Sequence, residues 1–388
     1  MSSRLGAPPE GKLSGRREVI CDTGRIISSR VLALVISAAV AAGCVRAQAE
    51  LPRAPTATCR GLVGFAYADA TAITWHELSD LAGRRAMAES CNAVGPAVYA
   101  APRQDDVLPY ATVDKLAILS WNVHVGGGDV IAIVNALRSG GLTNGEPVRD
   151  FVVLLQETFR GGAAVPNTPA GVPIPRRIEA FPPYGPRQDI VQTARALGLG
   201  VFYVPSMRNG ADEGLTAEDR GTAILSTLPL SNLAAIELPF ERQRRVAASA
   251  SVTGVDAGGN PWQLRLVSAH LNATASVRRL WLFSSAVRAR QARHLASVVA
   301  SDEVPTVIGS DLNSWAGGSS EPAYTELRVR FPQTSIPGGQ PTFRGGRMLD
   351  YVFLRVPPVW VGQLRTIGNF FGSDHRPLIS WIQFRSSP

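Results

Sequence analysis

Phe151-Val152-Val153-Leu154-Leu155 is an unbroken apolar run that stops at Gln156-Glu157. Five successive apolar residues of this kind make a short strand covered on both faces. A carboxylate set directly after such a strand is costly to desolvate unless a cation or hydrogen-bond donors meet it. The same punctuation recurs further on. Thr306-Val307-Ile308 leads into Gly309-Ser310-Asp311-Leu312-Asn313, and Ser373-Asp374-His375 precedes a closing strand at Leu378 to Ile382. Side chains at strand ends converge at one edge of a sheet, so residues distant in the chain can make a single site.

The rest of the chain from Lys115 onward alternates short apolar strands with helices. Strands are expected at Leu116 to Val123, Gly200 to Val204, Thr222 to Ser226 and Leu349 to Leu354. Val246 to Thr253 and Trp262 to Ser268 flank Asp256-Ala257-Gly258-Gly259-Asn260, the pattern of a hairpin. Asp129 caps a helix with Ile131, Val134 and Leu137 on one face, closed by Gly140-Gly141. Arg279 to Ala300 reads as a long amphipathic helix carrying Leu280, Phe283, Val287, Leu295 and Val298. Gly161 to Arg187, rich in proline and glycine, is a long loop.

Upstream, Arg16, Arg17, Arg25 and Arg30 precede the apolar run Val31 to Ala42. That run is too short to span a bilayer, and with the small residues after it the pattern is that of an export signal. Ala41-Ala42-Gly43-Cys44 resembles a lipobox, which would lipidate Cys44 and attach the protein to a membrane. Ala47-Gln48-Ala49 would instead release it. Cys59 and Cys91 are then expected to pair as a disulfide in an oxidising compartment. The chain is thus expected to divide into an export leader (1–43), a linker (44–58), an N-terminal extension (59–112) and a main domain (113–388). The extension holds one helix expected around Trp75 to Glu89, with His76 and Glu77 on its solvated face.

With 45% hydrophobic and 18% charged residues the chain can bury a large core, which excludes wholesale disorder. Net charge is +8; the first 43 residues carry six basic and three acidic side chains, leaving +5 for the remainder. Lysine occurs only at Lys12 and Lys115, so the positive charge is nearly all guanidinium, whose fork suits phosphate. That charge permits nucleic-acid or anionic-lipid binding without requiring either. Glu241-Arg242-Gln243-Arg244-Arg245, the most basic short run, is expected on a solvated face, with a grip on a phosphate-rich substrate as the alternative.

Glu157 is a hard oxygen ligand of the kind that suits Mg2+ or Mn2+. Asp311 can orient a water while Asn313 holds a substrate or transition-state oxygen. His270 follows a strand in Ser268-Ala269-His270-Leu271, and Asp350 opens one in Leu349-Asp350-Tyr351. Asn122 ends the first strand in Trp121-Asn122. Three of the five histidines (His124, His270, His375) lie on these strand-end motifs. A carboxylate beside a histidine fixes its tautomer and raises its basicity.

Taken in order, Trp121-Asn122, Gln156-Glu157, Arg220-Gly221-Thr222-Ala223-Ile224-Leu225-Ser226, Ser268-Ala269-His270-Leu271, Gly309-Ser310-Asp311-Leu312-Asn313, Leu349-Asp350-Tyr351 and Ser373-Asp374-His375 resemble the endonuclease/exonuclease/phosphatase superfamily of DNase I-like phosphoesterases. The resemblance covers about residues 115–385. It implies an α+β fold, a four-layer α/β sandwich with two mainly antiparallel β-sheets packed face to face and helices outside. It also implies magnesium-dependent in-line attack of water on phosphorus.

Residue by residue, it makes Glu157 the main metal carboxylate with Asn122 beside it, and gives Asp374 a second metal or a metal-bound water. His270 would contact the phosphate, with Asp311 orienting the water and Asn313 supporting it. His375, paired with Asp350, would be an acid/base or an electrostatic clamp. The family leaves open whether Asp311 or His375 is the base. His124 departs from the pattern, since some nuclease members carry an acid there, and Ser310 is inserted where Gly-Asp is commoner.

The expected protein is an exported, monomeric, divalent-metal-dependent hydrolase of phosphoesters. Its expected substrate is nucleic acid, a phospholipid headgroup or a small phosphoester. The alternatives are a phosphomonoesterase of the inositol-phosphate type and a catalytically silent envelope binding protein with the same fold.

Overall fold

Both faces of the central strands are apolar because both are covered. In the computed structural model the described residues are 62–65, 73–91, 93–103, 112–162, 165, 186–209, 217–241, 243–273, 281–314, 318–333, 340–360 and 362–385. All lie in the second of two units, Met1–Arg53 and Ala54–Pro388. The expected leader, the linker, Cys44, Cys59 and most of the 161–187 loop lie outside the described residues.

The extension supplies β1 (Leu62–Phe65), β2 (Thr74–His76), α1 (Leu81–Cys91) and β3 (Ala97–Ala100). Then come β4 (Lys115–Asn122), α2 (Val130–Arg138), β5 (Phe151–Gly161), α3 (Ile190–Leu197), β6 (Gly200–Asn209) and β7 (Glu218–Ser226). β8 (Ser231–Glu237), β9 (Val246–Val255), β10 (Pro261–His270), α4 (Trp281–Val299) and β11 (Thr306–Asp311) follow. The chain closes with α5 (Pro322–Arg330), β12 (Asp350–Arg355), β13 (Leu364–Thr366) and β14 (Leu378–Gln383). One sheet has eight strands in the order β1-β3-β6-β7-β5-β4-β14-β13. The other has six, β12-β11-β10-β9-β8-β2.

Strand side chains alternate between faces, so one strand feeds two cores. Leu116 and Ile118 of β4, with Val152 and Leu154 of β5, meet Leu264, Leu266, Val307 and Val352 between the sheets. The residues in between, such as Leu119, Trp121, Val153 and Leu155, pack outward against Ile133, Val134 and Leu137 of α2 and Ile190 of α3. On the far side Val267, Ala269 and Ile308 pack against Leu295 of α4 and Tyr324 and Leu327 of α5. Helix, sheet, sheet, helix is the expected four-layer sandwich. Eight of the twelve strand pairings are antiparallel, so both sheets are mixed with an antiparallel majority.

Several local expectations change. Trp75 and His76 belong to β2, which pairs in parallel with β8, and the helix starts only at Leu81. The alternation Thr74-Trp75-His76 suits an edge strand laid against β8, and tertiary pairing overrides the helical reading. In α2 the buried face is Val130, Ile133, Val134 and Leu137, while Ile131 is exposed. Asp129 caps that helix as expected, accepting from Ala132 N–H. The hairpin at Asp256 is closed by Asp256 N–H to Asn260 O and by Gly259 N–H to Asp256 O.

The extension is stitched into both sheets, since β3 pairs with β6 and β2 with β8. A buried ionic cluster secures it. Asp219 accepts from Arg160 Nη2 at 2.5 Å, from Tyr203 Oη at 2.8 Å and from Gly95 N–H at 2.8 Å, and Arg160 Nη1 donates to Pro96 O at 2.7 Å. Cys91 on α1 is buried and disulfide-bonded. Removing one partner of a buried pair leaves the other charge uncompensated, at a cost of about 3–5 kcal/mol. Asp219→Asn should therefore lower the free energy of urea unfolding by about that amount, and should raise hydrogen exchange across residues 93–100 first. Unchanged stability would refute this role for the cluster.

Candidate functional site

The inter-sheet core changes character along its strands. Its apolar layer gives way to the small residues Ser120, Ser268 and Gly309, and then to Asn122, Gln156, His270, Asp311 and Asp350. Each polar residue shares the parity of apolar residues lower on its own strand: Asn122 with Leu116 and Ile118, His270 with Leu264 and Leu266, Asp311 with Val307, Asp350 with Val352. Register aligns them laterally, with Asn122 opposite Gln156, His270 opposite Asp311 and Asp311 opposite Asp350. A Cβ on Gly309 would lie 2.5 Å from Ser120 Oγ, so the glycine lets the sheets close just beneath this layer.

Glu157 arrives by a different route. β5 does not end before it but continues to Gly161, and its register with β7 shifts between Leu155 and Thr158. Glu157 sits in that bulge with φ +52°. The extra residue leaves Gln156 facing the core and presents the carboxylate to the site. His124, Val125 and Asn313 also have positive φ, at 49°, 53° and 51°. Left-handed backbone at non-glycine residues stores about 1–3 kcal/mol each, and here it gathers around one cleft.

All eight residues anticipated from the sequence are linked. Asp311 is the hub: its Oδ2 accepts from Asn122 Nδ2 at 2.8 Å, and its Oδ1 accepts from Asn313 N–H at 2.7 Å. His270 Nε2 is 3.5 Å and His375 Nε2 4.0 Å from Asp311 Oδ2. Glu157 Oε1 is 3.8 Å from His270 Nε2. His375 Nδ1 is 2.7 Å from Asp350 Oδ2, and Asp374 Oδ1 lies 3.9 Å from His375 Nε2 and 3.7 Å from His124 Nδ1. Apart from Glu157, which is half-buried, these residues are buried.

The conspicuous neighbours in the motifs hold this geometry. Trp121 Nε1 donates to His375 O and Ser373 Oγ to Asn122 O, tying the 373–375 turn to the end of β4. Gln156 Nε2 donates to Ser268 Oγ, which donates to Leu155 O, bridging the sheets. Thr342 Oγ1 accepts from Leu349 and Asp350 N–H and sets the start of β12.

Arg245, expected on a solvated face, is buried instead. Its Nη1 lies 2.9 Å from His270 Nδ1 and its Nη2 donates to Gln243 Oε1. Arg244 is buried too, paired with Glu237 and donating to Pro205 O and Ser206 O. The run Gln243 to Arg245 turns inward because these acceptors lie within the fold, so high charge density did not mean exposure. Arg220, Arg245, Glu157, His270 and Thr222 line a narrow cleft. Arg220 Nε and Arg245 Nε are buried donors without an acceptor among the described residues, the arrangement that an anion would satisfy. Arg220 opens one of the motifs that carry the family resemblance, whereas for Arg245 the sequence signal is its place directly before β9. A larger groove of about 1040 Å³ lies at the opposite ends of the strands, beside Arg103, Arg149 and Trp262. Among the described residues its lining holds one carboxylate, Asp150, and no histidine.

Charge divides the carboxylates. Burial would raise the Glu157 carboxyl, but Arg220, Arg245, His124 and His375 outweigh it and hold the pKa below the usual range. Burial, then the nearby Asp350 charge, pushes Asp311 up to about 7. Burial also raises Asp374, against His375 and His124. His375 is drawn the other way: burial would lower it, yet Asp350, by charge and hydrogen bond, and then Asp311 and Asp374 raise it to about 10. His270 is held well below its ordinary value by burial, Arg245 and Arg220.

Asp311, Asp350 and His375 present ligand atoms within 4.8 Å of one another. The His375–Asp350 hydrogen bond already occupies that cluster, so the open oxygen donors are those of Glu157, with Asn122 and Asp374 behind. Asn122 is partly committed, since its Oδ1 accepts from His124 N–H at 2.9 Å. Asp350 Oδ1 is buried without a hydrogen-bond partner, which adds to the demand for positive charge. An all-oxygen donor set of this kind fits a hard divalent cation.

Asp350→Asn removes the charge that raises His375. Its ring should then titrate well below the native value of about 10, as read from imidazole proton shifts. An unmoved titration would exclude the pairing.

A family model for the Endonuclease/Exonuclease/phosphatase family matches residues 119–375, more than half of the chain. No curated protein matches it. Among solved structures, similar folds include an endonuclease/exonuclease/phosphatase from Beutenbergia cavernae, at 18% identity and a TM-score of 0.49, covering 70% of this chain and 72% of that one. The human nocturnin catalytic domain with bound sulfate is 14% identical, TM-score 0.43, with coverage of 71% and 97%. The 3′ phosphatase NExo from Neisseria, bound to product DNA hairpin, is 15% identical, TM-score 0.40, with coverage of 69% and 99%. The family match takes in every residue of the cleft, from Asn122 to His375, and the chain belongs to the endonuclease/exonuclease/phosphatase family of phosphoester hydrolases.

Proposed function

We propose that this hydrolase cleaves phosphodiesters by in-line attack of water, with a divalent cation, Mg2+ or Mn2+, held by Glu157, Asn122 and Asp374. The observation that carries the reading is the opposition of Asp311 to the His375–Asp350 pair across 4.0 Å, beside the Nε donors of Arg220 and Arg245, which have no acceptor among the described residues. When bound, the cation supplies Lewis-acid polarisation of the phosphoryl oxygen and offsets the four carboxylates.

The chain's own groups divide the remaining work. Arg220 and Arg245 draw the phosphate into the cleft with charge-assisted donors. Asp311, held at both oxygens by Asn122 and Asn313, takes the proton of the attacking water. Its pKa near 7 suits a base at neutral pH. His375, near 10, stays protonated and serves as electrostatic clamp and as proton donor to the departing oxygen. These opposite shifts favour Asp311 as the base. His270 and Asn313 face the phosphoryl oxygens. Export is supported by the basic, apolar and small-residue succession of the leader and by the disulfide at Cys91. Lipidation at Cys44 would attach the product to a membrane.

Turnover of bis-p-nitrophenyl phosphate should require Mg2+ or Mn2+ and stop with chelator. It should fall about 10²–10⁴-fold in Asp311→Ala and His375→Ala. Turnover that persists in both variants would discard the site. Plasmid DNA, sphingomyelin, inositol phosphates and p-nitrophenyl phosphate separate the diester reading from the monoesterase.

The pH profile follows from the same two groups. The base must lose its proton and the clamp must keep its own. kcat/KM should therefore rise through about pH 7 and fall near pH 10. A profile that declines from pH 6 upward would reverse the assigned roles.

A further inference from the structure

His270 is approached by an N–H group at each ring nitrogen. Arg245 Nη1 lies 2.9 Å from Nδ1, and Asn313 Nδ2 lies 2.8 Å from Nε2. A neutral imidazole has one lone pair to offer and a protonated one has none, so both donors cannot be satisfied together. The two donors are not equivalent. A guanidinium has no acceptor in any rotamer, whereas a carboxamide turned by half a rotation presents an oxygen of almost the same shape.

Arg245 also cannot easily leave. It is buried, and its Nη2 donates to Gln243 Oε1. Arg244 before it is locked to Glu237, and Val246 after it donates to Ser206 Oγ as β9 begins. Asn313 is freer, because only its donation to Leu271 O at 3.0 Å opposes a turn of the amide. A hydrogen on Nδ1 would face a guanidinium hydrogen across 2.9 Å in a buried place. The lone pair therefore belongs to Nδ1 and the hydrogen to Nε2.

We infer that Arg245 is a positioning residue that fixes His270 as its Nε2–H tautomer, making the ring a permanent donor toward the cleft and never the base. The Nε2–H bond points to the side where Asp311 Oδ2 is 3.5 Å and Glu157 Oε1 3.8 Å away, both beyond a good direct hydrogen bond. Without substrate, Asn313 turns and accepts this hydrogen through Oδ1; with substrate, a phosphoryl oxygen takes it over. Donation to phosphate rests on the function proposed above. The tautomer does not.

The test is long-range 1H–15N spectroscopy of the full chain labelled with 15N-histidine, without metal or substrate, the His270 signals being identified by their loss in His270→Gln. The expected pattern is a bare Nδ1 and a protonated Nε2. Arg245→Lys, which still offers only donors, should keep that pattern. Arg245→Gln can accept from Nδ1–H, and should show a mixture of tautomers and a kcat about 10²-fold lower; its KM should rise as well, because the guanidinium's hold on phosphate is lost, so the tautomer mixture is the readout that reports the positioning role.

An Nδ1–H or doubly protonated ring in the wild type would overturn the inference, and so would an unmixed Nε2–H pattern in Arg245→Gln. If the glutamine variant does not fold, the wild-type pattern decides alone. A protein with the expected tautomer but no phosphoesterase activity would remove the proposed function and leave Arg245 in its role.

Discussion

The polar ends of the inter-sheet strands have nowhere to go but toward one another. Each central strand is buried on both faces, so its inward positions must be apolar until the strand reaches an edge. Asn122, His270, Asp311 and Asp350 are the last or first inward positions of β4, β10, β11 and β12. Strand pairing then sets their lateral order without any contribution from loops. Catalytic groups carried on strand ends are held by the whole core, which is the rigidity such chemistry needs. The small residues beneath them, Gly309 above all, let the sheets approach closely enough for both halves to contribute.

Charge balance is the second consequence. Glu157, Asp311, Asp350 and Asp374 surround a cleft whose cationic partners are Arg220, Arg245 and a protonated His375. The pairings are unequal. Arginines hold Glu157 ionised, while Asp311, deeper and nearer Asp350, is pushed up to about 7. Two carboxylates of the same site thus become suited to different tasks, one to a cation and one to a proton.

Much of this was legible in the sequence because strand ends announce themselves: an apolar run followed by an acid or amide needs no tertiary information. The order of motifs sufficed for the family and the layers, and the eight residues it points to meet in one cleft. What stayed hidden depends on contacts between distant segments. The bulge that turns Glu157 inward is invisible in Gln156-Glu157-Thr158, because it is defined by the mismatch with β7. The sequence favours a surface position for Arg245 over a grip on phosphate because burying it requires His270 and Gln243, and His270 is brought near only by the fold. Trp75 and His76 read as helix because their partner, β8, lies about 160 residues away. The disulfide at Cys91 accords with the expected pairing, whose other cysteine, Cys59, lies outside the described residues.

On our reading the bulge carboxylate of Glu157, rather than the tighter histidine–aspartate cluster, receives the cation. Anomalous scattering from a crystal grown with Mn2+ and phosphate tests it directly. The expected result is a manganese peak bonded to Glu157, with the anion lying between it and the guanidinium groups of Arg220 and Arg245. A peak seated between Asp350 and His375, or a phosphate remote from both arginines, would contradict it.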